Sequence, residues 1–400
     1  MQYWPREIEN TLKRAVEQFS AVILTGPRQS GKTTLFEHFF KQSHNYVTLD
    51  DPQIRALAIA DPKLFLEKYP APLIIDEIQY APSLLPYIKI EIDTHRAQKG
   101  LFLLTGSQQF PLMQGVTESL AGRCAVLTLL PMNWQESRFN QLPINNNISI
   151  PLFSFWVRGA FPELAANPEL DSNLWYAGYL QTYLERDVRG LRQIGNLSEF
   201  QIFLQMCAAR NAQLLNLSSI SKDLGIAVNT IKAWINILEA SQQIYSVRPY
   251  YNNKGKRLIK APKLFFTDTG LCSHLVGLKD PVLALQGNFA GPLAESAVFG
   301  ELLKFYHNRG LIPAIYFWRT AGGDEVDFII ELNNKIVPIE VKITKTPTLL
   351  HAAPINTFCK LFQKEVNQGM VVCLSDTELP LANNIMAIPF VSLAKHLSSL

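Results

Sequence analysis

The sequence predicts a multidomain α/β chain: an N-terminal domain on a parallel sheet, a helical and winged-helix-like centre, and a second α/β domain. Three observations carry this. At 400 residues the chain exceeds one ordinary hydrophobic core, so roughly two to four domains are expected. A glycine-containing stretch, Gly26–Thr34, lies between an apolar run and a segment of helical spacing. Near the other end, residues 325–343 read as two alternating strands around Asn333-Asn334.

Ala21-Val22-Ile23-Leu24 has strand character, and Thr34 to Phe40 has helical spacing. Between them Gly26-Pro27-Arg28-Gln29-Ser30-Gly31-Lys32-Thr33-Thr34 reads Gly-x4-Gly-Lys-Thr, the phosphate-loop pattern. Its chemistry needs this order, because loop amides and a helix N-terminus must face the phosphates. Lys32 is expected on the β- and γ-phosphates and the Thr33 hydroxyl on Mg²⁺, with ATP as the ligand. A helix is expected over residues 6–19, and a second strand over Asn45–Asp50. Asp50-Asp51-Pro52 then starts a helix.

Leu73-Ile74-Ile75 followed by Asp76-Glu77 is the Walker B pattern. Asp76 is expected to hold Mg²⁺ through water, and Glu77 to orient or deprotonate the attacking water. The next strand, Gly100–Ser107, ends in small polar residues. Ser107 reads either as a γ-phosphate sensor or as a helix N-cap. Arg123, before the strand Ala125–Leu129, reads as a phosphate contact in its own or a neighbouring chain, or as a surface arginine.

Gly26–Thr34, Leu73–Gln79, Leu104–Gln108 and Leu120–Arg123 together resemble a prokaryotic family of AAA-type ATPases joined to a C-terminal domain of unknown function. The resemblance spans about the first 130 residues. It implies a P-loop AAA-type parallel sheet, ATP as ligand, Ser107 as sensor and Arg123 as a candidate arginine finger. Arg158–Glu163 and Tyr183–Val188 resemble the same family, with core and domain-contact roles as the default.

The expected divisions are 1–135 for the ATPase domain, 136–215 for a helical bridge including a long helix over 174–194, 216–275 for a winged-helix-like domain, and 276–400 for the last α/β domain. In the third segment Leu217–Leu224, the turn Gly225–Val228 and Ile231–Glu239 form a helix-turn-helix pattern. Strands Ile244–Pro249 and Lys263–Phe266 flank a wing-like stretch. Arg248, Lys254, Lys256, Arg257, Lys260 and Lys263 are interleaved with Tyr250 and Tyr251 and no acid. Two readings stand: phosphate contact with DNA, or a packing module with a solvated basic loop. Lys232, Trp234 and Asn236 are the side chains the second helix offers.

In the last segment a helix over 292–303 carries Glu295. Asn333-Asn334, taken as a hairpin turn, sets Leu332 opposite Lys335, Ile330 opposite Val337 and Asp327 opposite Glu340. Lys342 then shares the face of the two carboxylates, and the other face is apolar. Facing carboxylates repel unless a cation separates them, and Mg²⁺ suits oxygen ligands. Asp327, then Glu340-Val341-Lys342 about a dozen residues on, resembles the restriction-endonuclease-like (PD-(D/E)xK) nucleases over residues 285–375. That resemblance adds Glu295 as a metal ligand or orienting acid, and makes Glu340 and Lys342 catalytic. The first element departs from the pattern, leaving Asp324 as an alternative to Asp327. An ordinary salt-bridged strand pair, or a degenerate nuclease fold used for binding, are the other readings.

Composition narrows the classes. Hydrophobic content of 48% and charge of 18% describe a foldable globular chain. A net charge of +3 implies no partner by itself. The five cysteines are scattered without metal spacing, as expected in a reducing compartment. No leader pattern and no apolar run of membrane length are seen, so a cytoplasmic protein without membrane contact is expected. A homo-oligomer is compatible with the AAA-type resemblance. Three functions compete: an ATPase acting on nucleic acid through a metal nuclease domain, a nucleotide-dependent switch whose last domains only bind a DNA or protein partner, and a plain DNA-binding ATPase without nuclease action.

Overall fold

The computed structural model describes residues 3–106, 119–141, 149–183, 197–251, 260–320, 322–362, 366 and 368–400. They fall into two compact units rather than four segments: Met1–Met132 with Ala240–Gln242 and Tyr306–Leu311, and Asn133–Glu239 with Gln243–Phe305 and Ile312–Leu400.

The first unit runs α1 (Glu9–Gln18), β1 (Ala21–Thr25), α2 (Lys32–Phe40), β2 (Asn45–Thr48), α3 (Pro52–Ala60), α4 (Pro62–Lys68), β3 (Leu73–Asp76), α5 (Leu84–Thr94), β4 (Phe102–Gly106) and β5 (Cys124–Thr128). The strands form a five-stranded sheet in the order β2-β3-β4-β1-β5, with parallel pairing throughout. Its strands are apolar because both faces are covered. Ala21 and Ile23 face a core shared with Ile75, Leu104 and Ile88, while Val22 and Leu24 face Leu12, Leu35 and Phe36. Each such aliphatic side chain, fully buried, contributes about 1.5–3 kcal/mol. Asp51 caps α3 by accepting the Gln53 and Ile54 amides, with Pro52 at the first turn. In a parallel sheet all strand C-termini share one edge. Thr25, Asp76 and Gly106 therefore end beside one another, where ligands of open α/β sheets bind.

The second unit contains α6 (Ser149–Arg158), α7 (Pro162–Ala166), α8 (Ser172–Tyr183), α9 (Leu197–Ala209), α10 (Leu217–Leu224), α11 (Val228–Ala240), β6 (Ile244–Pro249), β7 (Lys263–Phe266), α12 (Thr269–Leu275), α13 (Pro281–Gln286), α14 (Ala290–Asn308), β8 (Ile315–Arg319), β9 (Glu325–Leu332), β10 (Lys335–Val341), α15 (Ala353–Leu361), β11 (Gly369–Cys373), β12 (Leu379–Ala382), β13 (Ile385–Pro389) and α16 (Leu393–Ser398). The end of α8 meets residues outside the description, so the extent of the expected helix over 174–194 lies partly outside it.

Helix, turn and helix are present: Asn216 caps α10, Gly225 ends it at φ +67°, and α11 follows. The hairpin after them is no free-standing wing. β6 pairs antiparallel with β7 and parallel with β8, so both strands close one edge of an eight-stranded sheet, β12-β13-β11-β10-β9-β8-β6-β7. The separation expected between residues 216–275 and 276–400 is therefore absent. Arg158–Glu163 is a packing junction: Asp268 accepts the Ala160 amide at 2.7 Å and the Tyr176 hydroxyl at 2.6 Å, where Gly159 turns at φ +84°.

The β9–β10 hairpin has the expected register, with Leu332 opposite Lys335 and Ile330 opposite Val337. Asn333 and Asn334 both take positive φ, +51° and +62°, as a two-residue turn requires. The pairing ends at Phe328–Ile339, one pair short of Asp327 and Glu340. The expectation of one core face and one charged face is corrected. Ile329 and Ile336, on the carboxylate face by register, are buried against Ile355 and Phe358 of α15.

Candidate functional site

The phosphate loop joins β1 to α2. Gly26 has φ +148°, and a Cβ there would clash with the Leu129 carbonyl, so this approach excludes other residues. Arg6, on the segment before α1 and 7% exposed, anchors the loop. Its Nη1 donates to the Ser30 carbonyl at 2.9 Å and its Nη2 to the Leu130 carbonyl at 2.7 Å. Pro27 and Ser30 are buried, Arg28 and Gly31 half-buried, Gln29 and Thr34 exposed. Lys32 is buried, and its Nζ donates to the Gly26 and Pro27 carbonyls at 3.0 and 2.9 Å. The ammonium thus sits inside the loop's own curve, where an anionic oxygen would compete for it.

Thr33 and Asp76 meet as expected, Thr33 Oγ1 donating to Asp76 Oδ1 at 2.9 Å. A hydroxyl and a carboxylate at this separation are hard oxygen donors of the kind Mg²⁺ takes, so these residues fit the metal. Two further hydroxyls hold Asp76. Thr105 Oγ1 donates to Oδ1 and accepts the Glu77 amide at 3.1 Å, and the Tyr46 hydroxyl donates to Oδ2 at 3.2 Å. Glu77, at φ +59°, takes a hydrogen bond from the Gln79 side chain. Thr105, Tyr46, Gln79 and Arg6 were not singled out from the sequence. Parallel pairing of Ile75 with Leu104 puts Thr105 next to Asp76, a signal available once strand order is known. Ser107 lies outside the described residues.

Arg123 stands elsewhere. Ala21 pairs with Cys124 and Thr25 with Thr128, so Arg123 lies at the N-terminal edge of β5 and the loop at the C-terminal edge. A five-residue strand, about 16 Å, separates them. Arg123 is engaged bidentately by Asp93, at 2.9 and 3.0 Å, and that guanidinium holds the Asp93 carboxyl below its usual value. A role on its own chain's phosphates is corrected; a neighbouring chain's remain.

The second unit gathers a buried charge cluster. Asp327 Oδ2 accepts the Val341 amide at 2.8 Å, taking the place of the ladder where it ends. Lys342 Nζ donates to Glu340 Oε1 at 2.6 Å, while Glu340 Oε2 is buried with no hydrogen bond among the described residues. Lys263 enters from β7. It contacts the Glu325 carboxylate and lies 3.6 Å from Glu295 Oε2. Burial, then the Asp327 charge, pushes Glu295 and Glu340 each up to about 8. Burial also raises Asp327, against the pull of Lys263.

This corrects two expectations. Lys263 is 5% exposed and belongs to the acid cluster, not to a basic DNA-facing surface. Among the described residues no three His, Cys, Asp or Glu side chains converge as a metal shell, so the metal set Glu295, Asp327 and Glu340 is not formed. Lysine ammonium groups stand among these carboxylates instead. Asp324 is exposed and off the cluster.

Among the described residues, two of the side chains expected to face nucleic acid are core instead. Tyr250 is 3% exposed and packs on Tyr316, Phe358 and Phe362, and Trp234 is core against Phe200 and Phe203. Lys254, Lys256 and Arg257 lie outside the described residues. Lys232, Asn236, Arg248 and Lys260 are exposed.

Comparison with known proteins agrees with the first unit. Residues 18–138 match a family model described as AAA domain. Residues 151–282 and 290–393 match two described as Domain of unknown function, DUF8612 and DUF4143. An uncharacterized protein of Mycobacterium tuberculosis is 28% identical over 386 residues, 96% of this chain and 83% of that one. One from Haemophilus influenzae is 24% identical over 365 residues, 82% of this chain and 85% of that one. Among solved structures, a Walker-type ATPase of Pyrococcus abyssi aligns with 67% of this chain and 94% of its own, at 17% identity and a TM-score of 0.47. Within the first unit, residues 18–138 form an AAA-type domain with its phosphate loop at Gly26–Thr34. No helix among the described residues is long and apolar enough to cross a membrane.

Proposed function

We propose that the chain binds Mg²⁺·ATP at Gly26–Thr34 and hydrolyses it. One observation carries this reading: Thr33, Asp76, Thr105 and Glu77 form one hydrogen-bonded unit at the mouth of the phosphate loop. Loop amides and Lys32 bind the phosphates. Thr33 and Asp76 hold Mg²⁺, which when bound neutralises developing phosphate charge. Glu77, tied at its amide by Thr105 and at its carboxylate by Gln79, orients water for in-line attack and takes its proton. The test is calorimetric titration of ATP into the full chain in Mg²⁺, with Lys32→Ala beside it. Binding by the wild type and at least about 100-fold weaker binding by the variant is expected, since a buried charged contact is lost. Equal affinity refutes the site.

For the output, the binding-switch reading is favoured over the nuclease reading by the position of Lys263, whose ammonium stands in the carboxylate cluster a metal would need. The nuclease reading keeps one supporting feature, the buried, unbonded Glu340 Oε2 beside Lys342. Contact with DNA phosphates draws on the exposed Lys232, Arg248 and Lys260.

A further inference from the structure

We propose that Tyr46 is a positioning residue for the metal-binding carboxylate: its hydroxyl fixes Asp76 so that the opposite oxygen stays turned toward Thr33. This rests on the ATP reading above and extends it to a strand, β2, that the phosphate-loop and Walker B patterns do not include.

Asp76 is 7% exposed, and both of its oxygens are engaged. Oδ1 takes the Thr33 hydroxyl at 2.9 Å and the Thr105 hydroxyl; Oδ2 takes Tyr46 at 3.2 Å. The two oxygens are thus held from two sides of the sheet edge. Thr33 comes from the helix after β1, Thr105 from β4 and Tyr46 from β2. Tyr46 pairs with Ile74, two residues before Asp76, so its ring has to extend along the strand to reach the carboxylate. An aromatic ring has two side-chain torsions and, once packed, holds its hydroxyl with little residual freedom.

The chemistry makes this contact asymmetric. A phenol that keeps its proton donates to a carboxylate and leaves it anionic. An ordinary phenol, with a value of about 10, keeps its proton and so stays a donor across the working pH range. Of the three hydroxyls, the Thr33 one belongs to the metal set itself and is given over when the metal is held between Thr33 and Asp76. Tyr46 touches the other oxygen and has no such conflict. It therefore restrains rotation of the carboxylate in both states. A carboxylate free to rotate would lose that preorganisation on binding.

The test is Tyr46→Phe in the full chain, which removes one oxygen and keeps the ring. ADP affinity is measured by calorimetry in EDTA and in excess Mg²⁺, for the wild type, Tyr46→Phe, Asp76→Ala and the double variant. The wild type is expected to bind ADP more tightly in Mg²⁺. Tyr46→Phe is expected to match it within about twofold in EDTA and to lose about 10- to 150-fold of the Mg²⁺-dependent tightening, the scale of one hydrogen bond to a charged acceptor. On the Asp76→Ala background the same change is expected to have no further effect, because Tyr46 acts through that carboxylate. Three results overturn the proposal: undiminished tightening in Tyr46→Phe, equal weakening in EDTA and in Mg²⁺, or additive losses in the double variant. Failure of the wild type to bind ADP at all would instead remove the ATP reading, and the role of Tyr46 with it.

Discussion

Replacing Lys263 by methionine keeps the length of the side chain and removes the cation from the carboxylate cluster. Lys263 is 5% exposed, contacts Glu325 and lies 3.6 Å from Glu295. At an effective dielectric near 20, a pair at that distance is attracted by about 4–5 kcal/mol. The ammonium's own desolvation is relieved in the variant, so a net loss of about 3–5 kcal/mol is expected, the range for stranding a buried partner. The loss has a pH signature. Burial and the Asp327 charge already push Glu295 up to about 8, while Lys263 pulls it down. A carboxyl raised on folding is most favourable below its unfolded value, and its contribution to stability falls as pH rises through the folded value. Without Lys263 the folded value rises further. The loss is therefore expected to be larger at pH 8.5 than at pH 5, by up to about 1 kcal/mol, the linkage limit for a carboxyl that titrates at about 8 beside Lys263. Five of the six tryptophans, Trp134, Trp156, Trp175, Trp234 and Trp318, lie in the second unit. Urea unfolding followed by tryptophan fluorescence at the two pH values reads that unit directly. A loss smaller at pH 8.5 than at pH 5, or less than about 1 kcal/mol at pH 8.5, would refute the buried-cation assignment.

Thr105→Val removes the donor to Asp76 and the acceptor for the Glu77 amide at nearly constant volume. ATP turnover is expected to fall about 10- to 100-fold, two hydrogen bonds' worth, with ADP affinity in EDTA unchanged, as steady-state assay and calorimetry would read. Arg123→Ala is expected to leave ATP affinity and melting temperature unchanged, because its carboxylate pair is on the surface and far from the loop. If Arg123 serves a neighbouring copy, wild-type turnover per chain rises with protein concentration and that of the variant does not.

The phosphate loop, the Asp76-Glu77 strand end and the β9–β10 hairpin were legible because each is local. A glycine loop between a strand and a helix, or a two-residue asparagine turn, fixes its own geometry within about ten residues. What was illegible depended on distant pairing. Lys263 follows a basic run and looks like its last member. Only the packing of β7 against β6, next to β8 and β9, brings it to Glu325 and Glu295. Tyr250 looked like an exposed aromatic among lysines, yet the parallel pairing of β6 with β8 turns it into a core with Phe358. Tyr46 and Thr105 flank Asp76 through a strand order that no local pattern encodes. The strand β12, Leu379–Ala382, was not anticipated either. Its Leu-Pro-Leu-Ala segment is short and half exposed, so alternation gives little signal.

The central claim, that Glu77 turns a nucleotide site into an ATPase, is tested most directly by phosphate release from Mg²⁺·ATP by the full chain and by Glu77→Gln. The wild type is expected to turn over. The variant is expected to bind Mg²⁺·ATP with affinity within about threefold and to lose at least about 100-fold in rate, the scale of a removed general base. Turnover by Glu77→Gln at the wild-type rate would contradict the account.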